Sequence, residues 1–271
     1  MHKRPTQVIF TADDFGLCEE VNEAVERAHR EGVLSAASLM IAAPAAADAI
    51  KRAKRMPRLG LGLHLTLVEG RPVLPPAVLP ALVTDDGSFR DGLARAGVRW
   101  FFSAGARRQL RAEIRAQFEA FRATGFSLDH VNAHNHMHFH PTVLNVILEV
   151  SREFGVRAVR LPYERPAGLL APWCALMKKG LTAAGIACND RVVGLHQTGH
   201  VTEELVLRAL ADLEPGVTEF YLHPAVTATP RLEAAAPGYD RTGELAALVS
   251  PRVAARLTEL GLRPLCFSDI S

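Results

Sequence analysis

Short apolar, β-rich runs alternate with helical patterns along almost the whole chain, and few architectures accept that rhythm. The candidate strands cover residues 7–12, 36–42, 61–67, 127–134, 156–162, 192–196, 218–224 and 263–269. Neighbouring parallel strands need a crossover between them, so strand and helix alternating seven or eight times implies a parallel sheet, open and doubly wound or closed as a barrel. With 271 residues and 48% hydrophobic content, the chain has enough material for one core. It reads as a single α/β domain over 1–271, since barrels often reach this length undivided.

The helix boundaries are written in the sequence. Val21, Ala24, Val25 and Ala28 share a face, and Gly32 follows as a stop. Pro141 opens another helix, at a position where its missing N–H costs nothing. Thr202, followed by Glu203 and Glu204, opens a third. Two longer stretches break the rhythm. Residues 68–105 are rich in Pro and Gly and suit an active-site loop. Residues 164–190 hold an apolar, helix-like insert with Trp173, Lys178 and Lys179.

The formal charge of +2 is too small to argue for nucleic acid. Arg107, Arg108, Arg111 and Arg115 interleave with Leu110, Ile114 and Phe118 at helical spacing, the pattern of a solvated face opposite a buried stripe. The four cysteines form neither a CxxC pair nor a disulfide-like framework. No apolar leader precedes the first candidate strand, and no stretch is long and apolar enough to span a bilayer. A reducing cytoplasm is the expected compartment.

In parallel α/β folds, chemistry collects at the carboxyl ends of the strands. Here those ends carry Asp13-Asp14, His64, His134, Arg160, His196, His223 and Asp269. Adjacent carboxylates on an extended backbone point opposite ways, so Asp13 and Asp14 can take different roles, though aspartates also suit a helix cap or turn. Two like charges side by side need a cation or a hydrogen-bond cage. His64 stands among leucines and glycines inside a strand, where a ligand role and a plain core role weigh about equally. In "HVNAHNHMHFHP", His134, His136, His138 and His140 occupy every second position. They would line one face if the strand continued, whereas helical winding would pair His134 with His138. One or two of them, completed by His64 and an aspartate, would suit a borderline cation such as zinc.

"TADDFG", "GLHLTL", "HVNAHNHMHFHP" and "YLHPA", in this order, resemble the YdjC-like carbohydrate deacetylases. "EVNEAVERAHREG", "ASLMIAAPAAADA" and "EGRPVLPP" bring the chain nearer to that family's hopanoid-biosynthesis-associated branch. The resemblance covers essentially the whole chain. It implies a distorted TIM-like (β/α) barrel with seven or eight parallel strands, one divalent metal, and removal of acetyl groups from N-acetylglucosamine-containing sugars. It places the metal ligands on Asp14, His64 and His134, the catalytic base on Asp13 and the acid on His223. Zinc is the first choice, with magnesium or another divalent ion compatible. Many relatives read DSHHHVH where this chain has Asn132, Ala133 and Asn135; His134 is kept.

The branch implies an N-acetylglucosaminyl bacteriohopanepolyol as substrate, deacetylated to the glucosaminyl form, with a homodimer expected. Arg160, His136, His138, Asp269 and Trp173 are candidates for substrate contact. The 164–190 insert could receive a lipid tail or touch the membrane peripherally, or be a crossover helix packed on the barrel. A soluble chitooligosaccharide deacetylase would share the catalytic residues. A non-catalytic metal-binding scaffold would bind metal and release no acetate.

Overall fold

The structure is a computed structural model and describes residues 5–90 and 92–270. Six strands form one all-parallel sheet: β1 (Thr6–Phe15), β2 (Ala36–Leu39), β3 (Gly60–Leu65), β4 (Val131–Ala133), β5 (Arg191–Val193) and β6 (Gly216–Leu222). Their order is β4-β3-β2-β1-β6-β5. The crossovers include α1 (Glu19–Glu31), α2 (Ala46–Ala53), α3 (Leu93–Phe102), α4 (Ala104–Ala123) and α5 (Pro141–Phe154). Then come α6 (Ala171–Ala183), α7 (Glu203–Ala211), α8 (Pro230–Ala235), α9 (Arg241–Leu248) and α10 (Pro251–Glu259).

The local signals act as expected. Val21, Ala24, Val25 and Ala28 form the buried stripe of α1. At Gly32 an added Cβ would come within 2.1 Å of the Leu248 carbonyl oxygen, so that close approach excludes any side chain. Thr202 caps α7 through the Leu205 N–H, and Pro141 opens α5.

The sheet has six strands among the described residues, rather than seven or eight. Residues 156–162 and 263–269 make only isolated parallel bridges, Val131 to Val159, Ala158 to Ala187 and Val8 to Pro264. The first two carry the curl of the sheet from β4 towards the segment before β5. Side chains supplement the few backbone bonds of these bridges. The Asn189 amide exchanges hydrogen bonds with the Leu161 backbone, while the Asp129 carboxylate accepts the N–H groups of Phe267 and Ser268. Pro162 and Pro264 offer no donor at all.

Alternation along β1 sorts its side chains. Val8, Phe10 and Ala12 join the main core under the helices, with Phe10 stacked on Phe220 at 4.6 Å. Ile9 faces the concave side, where Ala36, Ala158, Val217, Phe267 and Ile270 form a small apolar plug. Thr11 and Asp13 follow Ile9 on that side, in the company of buried Ser38, His130, Asn132, Arg160 and Glu219. The concave interior is therefore apolar at the amino ends of the strands and polar towards their carboxyl ends.

Candidate active site

The site begins with an irregularity in β1. The pairing with β2 shifts register between Ala12 and Phe15, and Asp14 adopts a left-handed φ of 64°. Both carboxylates consequently line one pocket of about 770 Å³ while keeping different neighbours. Asp13 turns inward to Arg160, which donates to Oδ2 at 2.5 Å and Oδ1 at 3.0 Å; Asn132 Nδ2 adds a donor at 3.1 Å. Burial raises the Asp13 pKa, but the Arg160 guanidinium outweighs it and holds the group well below the usual carboxylate range.

Asp14 faces His64 and His134. Its Oδ1 lies 3.7 Å from His64 Nε2 and 3.2 Å from His134 Nδ1. Arg241 reaches its other oxygen at 3.2 Å. Asp14 Oδ1 is buried without a hydrogen-bond partner. An ion bound at about 2.0–2.2 Å brings adjacent ligand atoms to within roughly 3.0–3.5 Å of each other. One atom from each of Asp14, His64 and His134 lies within 4.8 Å of the others, so a small movement suffices and the residues fit a divalent ion.

Outer contacts prepare these ligands. His64 Nδ1 donates to Asn132 Oδ1 at 2.7 Å, leaving Nε2 with its lone pair towards Asp14. Burial lowers the His64 pKa to about 4, which keeps the ring neutral as a ligand must be. For His134, burial opposes the charge, but Asp14 and Glu69 prevail and push its pKa up to about 10. The Asn132 amide is itself pinned. Its Nδ2 also donates to Ser38 Oγ at 2.9 Å; Ser38 Oγ lies 2.9 Å from His130 Nε2, and His130 Nδ1 lies 2.9 Å from Asp129. Asn132 thus supports His64 and Asp13 at once.

The histidine run follows neither regular pattern. Asn135 and His136 are both left-handed, with φ of 51° and 53°, so the chain turns tightly after His134 and scatters the rings. His134 joins the ligand group, and His136 packs against Tyr221 on the pocket wall. His138 is fully buried, with Nε2 3.1 Å from the Arg160 carbonyl oxygen, and burial drives its pKa down to about 3. His140 accepts the Thr142 N–H and packs against Trp100, outside the pocket.

His223 follows β6 and faces the pocket between the rings of Tyr221 and Tyr239. Its backbone N–H donates to Glu244 at 2.5 Å, while its buried Nδ1 makes no hydrogen bond among the described residues and lies 3.8 Å from the same carboxylate. Arg160 sits beneath Asp13, fully buried and shared with Glu219, so it shapes the site without lining the pocket. Asp269 does not join the site. It is exposed at the opposite end, and its carboxylate accepts the Cys266 N–H. His196 is also exposed and turned away, its N–H given to Glu164. Trp173 lines a separate apolar cavity and donates Nε1–H to the Phe139 carbonyl.

Sequence reasoning missed Glu69, Arg241, Glu244, Glu219 and Ser38. Only Glu219 left a signal, as a lone acid inside an apolar strand. Arg241 and Glu244 belong to α9, an unremarkable amphipathic segment in sequence.

The protein is thus of the α/β type, with a three-residue group able to hold a metal at the carboxyl ends of a parallel sheet. The chain belongs to the YdjC-like carbohydrate deacetylase family, whose profile, described as YdjC-like protein, matches residues 7–259. The carbohydrate deacetylase of Mus musculus is 32% identical, covering 97% of this chain and 94% of its own length. That of Geobacillus stearothermophilus is 31% identical, with 98% of each chain covered. A crystal structure from Enterococcus faecalis V583, of a protein named for cellobiose-phosphate cleavage, shares the fold with a TM-score of 0.79. It is 24% identical and covers 97% of this chain and 98% of its own.

Proposed function

We propose that this protein is a divalent-metal-dependent N-deacetylase that removes acetyl from an N-acetylglucosaminyl lipid. The observation that carries the hydrolytic reading is the convergence of the buried Asp14 Oδ1 with His64 and His134, one ligand atom of each within 4.8 Å of the others, with a second carboxylate, Asp13, beside it. A metal held by Asp14, His64 and His134, zinc by preference of this donor set, would polarise the acetamide carbonyl and acidify the attacking water, from a pKa of ~16 towards neutrality.

Asp13 takes the water proton. Arg160 keeps it ionised and makes it a weak base, so water already acidified is the partner it needs. Asp13 Oδ2 accepts from Arg160 and retains a lone pair for the incoming proton. His223, reaching the pocket from the β6 side, delivers a proton to the departing amine. Glu244 and the two tyrosine rings hold the His223 segment and imidazole in place.

The lipid-linked substrate is supported by an apolar cavity of about 660 Å³ that shares Leu93, Asn135 and His136 with the catalytic pocket. Val98, Phe101, Phe102, Phe139 and Trp173 line the rest. A sugar in the first pocket could leave its apolar aglycone in the second.

The test measures acetate release by metal-reconstituted protein from an N-acetylglucosaminyl bacteriohopanepolyol and from a chitooligosaccharide. Preference for the lipid-linked substrate is expected. Preference for the soluble sugar would overturn the substrate, and bound metal with no acetate from either would leave a metal-binding scaffold. Trp173→Ala with Leu170→Ser should lower kcat/KM more for the lipid-linked substrate than for the soluble one.

A further inference from the structure

The apolar surface beside the catalytic pocket extends well beyond the cavity. On α3, Val98, Phe101 and Phe102 are 59%, 55% and 77% exposed. Leu169 is 99% exposed and Leu170 58%, in the turn that leads directly into Trp173; Leu176, one turn beyond Trp173 on α6, is also exposed. Trp173, Val98, Phe101 and Phe102 line one cavity, so the two segments meet there. Single exposed apolar residues need no explanation, but a cluster of large ones marks an interaction site.

Charge narrows the choice of partner. From 93 to 112 the sequence holds Arg95, Arg99, Arg107, Arg108 and Arg111 and not one acidic residue. From 165 to 189 it holds Arg165, Lys178 and Lys179, again without an acid. Arg111, Arg165 and Lys178 pair with Glu149, Glu214 and Asp190, so the excess positive charge rests on Arg95, Arg99, Arg107, Arg108 and Lys179. The whole chain is nearly balanced, with 31 basic and 29 acidic residues, so this one-sidedness is local. Phenylalanine and leucine projecting between arginines and lysines match an anionic lipid interface, whose hydrocarbon takes the apolar groups and whose headgroups take the cations.

We propose that α3 and the 168–170 turn dock this protein on an anionic membrane surface. The mouth of the apolar cavity then faces the bilayer, and the lipid part of a substrate can move from hydrocarbon to cavity without crossing water. The docking deepens the glycolipid reading and rests on it for its purpose, yet it is measured without any substrate. No helix among the described residues is long and apolar enough to cross a membrane.

The experiment is co-sedimentation of the full chain with phosphatidylcholine vesicles, with and without 30% phosphatidylglycerol. Binding to the anionic vesicles is expected, weakening in high salt. Phe101→Ser with Phe102→Ser should reduce partitioning roughly tenfold or more per phenylalanine inserted. Arg95→Gln with Arg108→Gln should reduce it about fivefold per charge on anionic vesicles and leave neutral ones unaffected. Unchanged thermal unfolding controls for misfolding, and Leu169→Ser with Leu170→Ser gives a second, independent variant. No binding to anionic vesicles overturns the proposal. So does a dimer in sedimentation equilibrium that Phe101→Ser with Phe102→Ser converts to monomer, because the patch would then cover a second copy. Failure here would leave deacetylation of a detergent-dispersed glycolipid untouched, while failure of that assay would leave vesicle binding standing.

Discussion

Replacing Arg160 with glutamine should expose how tightly the site and the fold are linked. Arg160 is fully buried, bonded to Asp13 through two nitrogens and to Glu219 at 2.6 and 2.9 Å. Its removal strands two carboxylates that are 2% and 0% exposed. Breaking a buried ion pair from one side costs about 3–5 kcal/mol. At roughly 2–4 °C per kcal/mol for a chain of this size, the melting temperature should fall by roughly 6–20 °C. The loss should depend on pH. In the native protein the depressed Asp13 pKa contributes stability present above the unfolded value of ~3.9 and lost on acidification. Without Arg160, burial dominates and raises the Asp13 pKa; its contribution is then favourable in acid and lost as pH rises through the new value. Thermal unfolding of chelator-treated protein from pH 4 to pH 8 should therefore show a gap between native and variant that widens with pH. A constant gap, or one below about 2 °C at neutral pH, would refute the ion-pair account.

Asp14→Asn should lose bound metal and activity together, whereas Asp13→Asn should keep the metal and lose turnover by ~10²–10⁴-fold; metal analysis beside an acetate assay separates them. Alanine at His134 should deplete metal far more than alanine at His136, His138 or His140, and equal loss at all four would mean the run binds as a cluster. Metal affinity should rise with pH up to about 10, because the proton that Asp14 and Glu69 hold on His134 must leave first; calorimetry in buffers of different ionisation heat would detect its release. Gly62→Ala would set a Cβ 2.4 Å from the His130 ring, which Ser38 and Asp129 hold from both sides, and should cost about 1–3 kcal/mol by thermal unfolding. Gly180→Ala, in α6 with open space around it, should stabilise by up to about 1 kcal/mol in the same measurement.

Short-range pattern was enough for much of this protein. The 2.0 and 3.6 periodicities located all six strands and announced the parallel sheet, and Thr202 and Pro141 marked their helix starts. That Asp13, Asp14, His64, His134 and His223 would share one pocket was legible as well, because a parallel sheet gathers its strand ends at one edge, while the resemblance to a family singled them out from the other strand-end residues. Other choices belonged to the tertiary structure. Residues 156–162 and 263–269 make only isolated bridges, and the side chains of Asn189 and Asp129 take backbone groups there. The alternating histidines promised a common face, and two left-handed residues dispersed them. Asp269 stood at an expected strand end, yet a capping bond holds it at the far side. The partners that tune the carboxylates are remote in sequence, Arg160 lying 147 positions from Asp13 and Arg241 lying 227 from Asp14. Periodicity reports which way a side chain points from its own element. Which charge it meets there depends on where the crossovers bring the other elements, and only the assembled sheet decides that.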